Sequence, residues 1–130
     1  MIKIISVFGT RPDTIKMAPL VNLIDKDEKI NHIVCVTGQH REMVNEILEI
    51  FNITAKYNLD VMKDGQSLEY VTSSILMKIS DVLDKEKPDM ILVHGDTNTC
   101  FSAALAAFYK KIPIGHVEAG LRTADMFSPY

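Results

Sequence analysis

The sequence predicts an α/β protein built on a doubly wound parallel sheet. Short, nearly continuous apolar runs alternate with longer segments of helical period, a pattern typical of strands that are buried on both faces of a parallel sheet. Right-handed crossovers between successive strands favour the strand order 3-2-1-4-5. With 130 residues, of which 47% are hydrophobic, the chain is long enough to form one domain with its own core.

Five strands and four helices are expected. The predicted strands are Ile2 to Phe8, His32 to Thr37, Tyr57 to Leu59, Met90 to His94 and Ile112 to Val117. The predicted helices begin near Pro12, Arg41, Leu68 and Asn98. In the third helix, apolar residues recur at steps of three and four from Leu68 to Val82, and Ser67 is a candidate N-cap. In the fourth helix, the spacing places an apolar set inward: Phe101, Ala104, Leu105 and Phe108.

Charge and composition exclude several classes of partner. The net charge of −3, from 14 basic and 17 acidic residues, argues against broad binding to nucleic acid or anionic membranes, because those partners need a basic surface. The N-terminal apolar run is too short for a signal peptide, and no segment approaches the roughly 20 apolar residues of a membrane span. Cys35 and Cys100 lack metal-ligand spacing and are expected to be free thiols at apolar positions. These features predict a soluble, cytoplasmic protein.

The first candidate site lies in the stretch VFGTRPDTIK, residues Val7 to Lys16. Gly9 lets the backbone approach a ligand closely, the helix start offers backbone N–H groups, and Arg11 and Lys16 add two positive charges. Together these features predict a phosphate-binding site. A structural interpretation stays open, in which Gly9 serves only a tight turn and the two bases are solvated, because no established glycine-rich phosphate motif is present.

The second candidate site lies in VHGDTNT and GHVEAGLRT, where each strand ends in a histidine followed two residues later by a carboxylate. Residues two apart on a strand point the same way, so His94 and Asp96 are predicted to share a side, as are His116 and Glu118. Adjacent strands would bring all four into one crevice. Two carboxylates opposite a phosphate site suit proton transfer at a sugar or acyl carbon, because their surroundings can separate their pKa values into acid and base roles.

Structural and metal-binding roles compete with this hypothesis. Asp96 could cap the helix that starts near Asn98, and Glu118 could pair with Arg122 in a loop. The two His-x-acid pairs could also bind a divalent metal, as in a metal-dependent hydrolase. Histidines at strand ends are more often hydrogen-bonded core residues, and no metal is therefore predicted.

The sequence resembles the non-hydrolysing UDP-N-acetylglucosamine 2-epimerases in four segments: VFGTRPDTIKMAPLV, VTGQHREM, LVHGDTNTCFSAALAAFYKKIPIGHVEAGLRT and the terminal FSPY. The resemblance implies a two-domain architecture of the glycosyltransferase-B type, in which residues 1–130 form the Rossmann-like N-terminal domain, incomplete at its C-terminal end and without the second domain. It implies interconversion of UDP-GlcNAc and UDP-ManNAc by elimination and re-addition of UDP, without a cofactor.

The resemblance also assigns roles to individual residues. Asp96 and Glu118 match the catalytic carboxylates, and Arg11 and Lys16 match basic residues near the nucleotide phosphates. We count Gly9 and His94, which lie in the same motifs, among the substrate-binding residues.

Relatives that hydrolyse the substrate tend to depart from FGTRP and IKMAPL, so this sequence sides with the non-hydrolysing group. Some bacterial members hold a second, regulatory UDP-GlcNAc through the segment that matches GQHRE. Gln39 and His40 fit this candidate regulatory site, whereas Glu42 and Gly65 stand where those members tend to carry Gln and Arg.

The resemblance implies a homodimer, and a separately encoded C-terminal half is a further candidate partner. Because the last strand lacks the helix that covers it in the family, we also expect an apolar patch and self-association. The alternative function is a non-catalytic fragment that binds nucleotide-sugar, or one half of a split enzyme.

Overall fold

The structure is a computed structural model that describes residues 1–38, 41–61, 65–120, 124 and 127. Its elements, in chain order, are β1 Ile2–Phe8, α1 Arg11–Asp25, β2 Ile30–Val36, α2 Arg41–Ile50, β3 Tyr57–Asn58, α3 Leu68–Glu86, β4 Met90–His94, α4 Asn98–Tyr109 and β5 Ile114–Val117. The strands pair in parallel in the order β3-β2-β1-β4-β5, which confirms the predicted doubly wound sheet. β5 begins after Pro113 rather than at Ile112, because proline has no N–H to donate to the strand ladder.

Helices cover both faces of the sheet, which explains why the strands read as continuous apolar runs. On one face, Ile5, Ile33 and Ile91 pack with α3 and α4. On the other face, Phe8, Val34 and other buried residues pack with α1 and α2. The sheet is therefore held rigidly in the middle, and its loops at the carboxyl ends of the strands are free to form a site.

The helix starts were predicted more accurately than the buried faces. Ser67 caps α3, because its hydroxyl accepts a hydrogen bond from the Tyr70 N–H at 3.1 Å. Of the apolar residues at helical spacing in α3, Leu68, the first helical residue, is 76% exposed, and the other four are buried: Val71, Ile75, Ile79 and Val82. The inward set proposed for α4 was wrong for Phe101 and Phe108, which are 60% and 69% exposed, whereas Ala104 is partly buried and packs against the core. The residues that α4 buries are mostly small and allow close packing: Thr99, Cys100, Ser102, Ala103, Ala106 and Ala107.

A chain of hydrogen bonds joins β1, β2 and the end of α1. The His32 imidazole lies 2.7 Å from the Ser6 hydroxyl through Nε2 and 2.7 Å from the Asp25 carboxylate through Nδ1. Ser6 is completely buried, and the imidazole satisfies its polar group inside the core. The three side chains therefore hold this end of the fold together.

Glu86, at the end of α3, contacts three donors that also lie near the amino ends of the strands, on the face of the sheet that α3 covers. Its carboxylate accepts the Tyr57 hydroxyl, lies 2.8 Å from the Lys56 ammonium and 3.4 Å from the Lys3 ammonium, and is only 8% exposed. These partners, led by the Lys56 hydrogen bond, lower the pKa of Glu86 from its ordinary 4.5 to about 2. The hydrogen bond between the Tyr57 hydroxyl and Glu86 in turn raises the pKa of Tyr57 to about 12.

We expect the Glu86→Gln substitution to lower the free energy of unfolding at neutral pH by about 2 kcal/mol, because a buried charged acceptor shared by three donors becomes a neutral amide. A carboxyl group whose pKa is lowered in the folded state stabilises the fold fully above its ordinary pKa of 4.5 and loses that contribution as the pH falls towards about 2. Urea denaturation at a series of pH values measures this. Glu49→Gln, which alters an exposed carboxyl group, is the matched control. If wild type and Glu86→Gln lost stability in parallel on acidification, the assignment would be wrong.

None of the described helices is long and apolar enough to cross a membrane.

Candidate functional site at the carboxyl ends of β1, β4 and β5

Charged side chains collect where the strand order reverses between β1 and β4, at the carboxyl ends of the strands. Ligands of open α/β sheets bind at such a switch point. The chain turns sharply there, because Gly95 after β4 has φ of 66° and Glu118 after β5 has φ of 59°. A left-handed backbone is unusual for glutamate, and it marks Glu118 as a residue held in place by its surroundings.

The central cluster joins Lys16 of α1, Glu118 after β5 and His94 of β4. The Lys16 ammonium donates to both oxygens of the Glu118 carboxylate, at 2.8 and 2.9 Å. On the inner side, Nε2 of His94 lies 2.8 Å from Oε2 of Glu118. The Lys16 hydrogen bond is the main cause of a lowered Glu118 pKa, and the Coulombic attraction of Lys16 and His94 adds to it. The carboxylate is therefore ionised and held from two sides.

The four side chains of the two His-x-acid pairs do not associate as predicted. His94 contacts Glu118, whereas Asp96 and His116 line a cavity of about 350 Å³ between α4 and β5, with Cys100 beside them. The expected alternation ends at Gly95, whose left-handed conformation turns the chain as β4 finishes. The His116 imidazole donates to the Gly95 carbonyl oxygen at 2.6 Å and so helps to fix this turn.

The sequence left open two structural roles, a helix cap for Asp96 and an ion pair with Arg122 for Glu118. The N-cap of α4 is Thr97, whose hydroxyl accepts the Cys100 N–H at 3.2 Å, so the capping role suggested for Asp96 is wrong. Asp96 is exposed to solvent. Glu118 pairs with Lys16 and His94, while Arg122, its other suggested partner, lies outside the described residues.

A buried carboxylate, missed by the sequence analysis, occupies the start of α1. Asp13 is 2% exposed and accepts the Thr10 N–H at 2.7 Å, the Thr10 hydroxyl at 2.6 Å and the Gly9 N–H at 3.4 Å. Two of the backbone donors expected to face a phosphate are thus taken internally. The signal was present in TRPD, which has a threonine N-cap and an acidic residue three positions later, as in a capping box. An anion at this end would depend on the side chains of Arg11, which is exposed, and Lys16.

Both cysteines are free, buried and unsuited to nucleophilic chemistry. Burial raises the pKa of Cys35 to about 12. Burial, helped by the charges of Asp96 and Asp13, raises the pKa of Cys100 to about 11. Because the thiolate is the reactive form, neither thiol is a candidate nucleophile at neutral pH. Within the described ranges, no group of three histidine, cysteine or acidic residues could hold a metal ion.

The candidate regulatory residues Gln39 and His40 lie outside the described residues.

The sheet order and the charged switch point define the chain as a Rossmann-like α/β domain of the kind that binds ligands at its strand ends. A family model described as UDP-N-acetylglucosamine 2-epimerase matches residues 22–130. The chain belongs to this family.

Curated relatives and solved structures agree with that assignment. The UDP-N-acetylglucosamine 2-epimerase of Neisseria meningitidis serogroup A is 53% identical over 98% of this chain, and that of Yersinia pestis is 55% identical over the same share. A crystal structure of the N. meningitidis epimerase bound to UDP-GlcNAc matches 99% of the chain with a TM-score of 0.95 and 53% identity. The Methanocaldococcus jannaschii epimerase in complex with UDP-GlcNAc and UDP matches 95% of the chain with a TM-score of 0.89 and 38% identity.

The chain spans about a third of the length of these relatives: 34% of both curated proteins, and 35% and 34% of the two crystallised chains.

Proposed function

We propose that this chain is the N-terminal Rossmann-like domain of a non-hydrolysing UDP-GlcNAc 2-epimerase of the glycosyltransferase-B type. In this proposal Arg11 and Lys16 contact the diphosphate, with Gly9 beside them, and Asp96 and Glu118 transfer protons at the sugar C2. Two crystallised relatives are described with UDP-GlcNAc bound, which supports the substrate class.

The observation that carries the proposal is the bidentate contact between Lys16 and Glu118, at 2.8 and 2.9 Å. The C1–O bond to the diphosphate and the C2–H bond are on neighbouring carbon atoms. An enzyme that breaks both bonds therefore needs a phosphate-binding cation and a proton-accepting carboxylate close together. Lys16 and Glu118 meet this requirement although they are 102 residues apart in the sequence.

The proposed reaction uses two carboxylates because C2 must be inverted. One carboxylate removes the proton from C2, and the electron pair of the C2–H bond forms a C1–C2 double bond. The C1–O bond breaks at the same time, and its electron pair leaves with UDP. The other carboxylic acid then delivers a proton to the opposite face of C2, and a UDP oxygen re-forms the bond to C1. The two groups lie in different surroundings, since Glu118 contacts His94 and Lys16 whereas Asp96 lines the cavity beside α4. Separate surroundings favour separate acid and base roles.

The test is to incubate the chain with UDP-GlcNAc in D₂O and to follow loss of the C2 proton signal by NMR. We expect exchange in the wild type, and a rate lowered by at least about 100-fold in Asp96→Asn and in Glu118→Gln, the size typical of a lost general acid or base. Asp81→Asn, which removes an exposed carboxylate of α3, is the control and should exchange like wild type.

Equal exchange in all variants would contradict the assigned carboxylates. UDP-GlcNAc binding without exchange would favour the second candidate, a nucleotide-sugar-binding fragment or half of a split enzyme.

We further propose that the protein acts in the cytoplasm and as a homo-oligomer. The free, buried cysteines fit a reducing compartment. The exposed Phe101 and Ile114 beside the cavity at β5 are consistent with an apolar contact surface. A separately encoded C-terminal half is the alternative partner.

A further inference from the structure

We propose that His94 is a positioning residue that holds the inner oxygen of the Glu118 carboxylate in place during proton transfer, rather than a group that contacts substrate. The inference rests on the proposed function for what Glu118 does, but its structural basis and its test do not require substrate.

The sheet itself fixes the separation of the two residues. His94 is the last residue of β4 and pairs in register with Val117, the residue before Glu118. The Gly95 N–H donates to the Val117 carbonyl oxygen at 2.8 Å, which joins the two strand ends directly beyond this pair. The left-handed backbone of Glu118, with φ of 59°, then directs its side chain back to the imidazole. Such a contact depends on the strand ladder and not on a flexible loop.

The imidazole is buried and its hydrogen-bonding capacity is unused. His94 is 6% exposed, and neither ring nitrogen makes an aligned hydrogen bond with any of the described residues, although Nε2 lies 2.8 Å from Oε2 of Glu118. An unsatisfied polar group in the interior calls for an explanation. A small rotation of the Glu118 carboxylate would align the bond. That rotation satisfies the buried imidazole and the carboxylate together and needs no substrate.

Of the two contacts of Glu118, substrate competes for the one with Lys16 and leaves the one with His94 in place. In the described part of the chain, the charged or titratable groups that contact its carboxylate are Lys16 from α1 and His94 from β4. Lys16 is 53% exposed and is the cation proposed to meet the diphosphate, so substrate competes with Glu118 for it. When Lys16 turns to the phosphate, His94 is the contact that remains. His94 therefore keeps the Glu118 carboxylate in position while Lys16 contacts the phosphate.

The test measures the titration of Glu118 by carbon NMR on glutamate-labelled chain, with the resonance assigned by its absence in Glu118→Gln. The background is Lys16→Met, so that only the inner contact remains. Two double variants are made in this background. His94→Gln places an amide nitrogen near the position of Nε2, and His94→Asn places one near the position of Nδ1. The amide spectrum of each variant shows whether the fold is retained.

We expect the Glu118 titration midpoint of the His94→Gln variant to stay near that of Lys16→Met alone, because a donor to the carboxylate is kept. The His94→Asn variant should titrate at a pH higher by about 0.5–1 unit, because a carboxylate that loses a hydrogen-bond donor protonates more readily. Equal midpoints in the two amide variants would overturn the proposal, since a space-filling imidazole has no preference between them. Failure of the proposed function would instead appear as absent C2 exchange with wild-type chain and would leave these midpoints unchanged.

Discussion

Replacing Lys16 with methionine should weaken UDP-GlcNAc binding by at least about tenfold and raise the pKa of Glu118 towards its ordinary value. A hydrogen bond to a charged group contributes roughly 1.5–3 kcal/mol, and methionine keeps most of the apolar stem while removing the ammonium. The pKa change follows because Lys16 is the main cause of the lowered Glu118 pKa. Calorimetric titration measures the affinity, and carbon NMR on labelled glutamate measures the pKa.

Lys26→Met is the matched control for this experiment. Lys26 is the C-cap of α1, at the end of the helix opposite the site, so its loss changes the net charge equally without touching Glu118. Unchanged affinity in Lys16→Met, or an equal loss in Lys26→Met, would contradict the proposed role of Lys16 in phosphate binding.

Replacing Gly38 with alanine should destabilise the fold by about 3 kcal/mol, the largest effect we expect from a single methyl group. Gly38 follows β2 with φ of 87°, and an added Cβ would lie 2.7 Å from the Asp60 Cα and 3.2 Å from the Val61 nitrogen. These are backbone atoms that cannot rotate away. They are also tethered, because the Val61 N–H donates to the Thr37 carbonyl oxygen at 3.0 Å.

Gly95→Ala separates backbone strain from steric overlap in this comparison. Gly95 also has a positive φ, of 66°, but a Cβ there meets no heavy atom of the described residues within 4 Å. Its cost should be only the left-handed conformation of alanine, about 1 kcal/mol. Urea denaturation of both variants gives the difference. If Gly38→Ala and Gly95→Ala lowered the free energy of unfolding equally, steric overlap with Asp60 would not be the reason that residue 38 requires glycine.

The fold was predictable because each element carried its own local signal. Apolar runs such as Met90–His94 were identified to the residue, and the strand order followed from the handedness of the crossovers. The buried face of α4 was not predictable from hydrophobicity, because packing against α3 and the sheet selects small side chains. Ala103 and Ala106 are fully buried while Phe101 is exposed.

The site was predictable in its composition and less so in its geometry. Its residues came from motifs, but the contact between Lys16 and Glu118 spans 102 positions and depends on where α1 lies relative to β5. The prediction that His94 and Asp96 share a side failed for a local reason. Gly95 lies between them with a left-handed backbone, which ends the strand alternation that the prediction assumed. Asp13 was missed because its carboxylate folds back on its own helix start.

The hydrogen-bonded chain of Ser6, His32 and Asp25 has the residue types and contacts of a serine hydrolase triad, with distances of 2.7 Å on both sides of the imidazole. Its serine oxygen is sealed in the core with no exposed surface, so no carbonyl carbon can approach it. The same three side chains that would activate a nucleophile at a surface here act as a fastening between strands. Access to solvent, and not the spacing of the atoms, decides which of these two roles such a triad has.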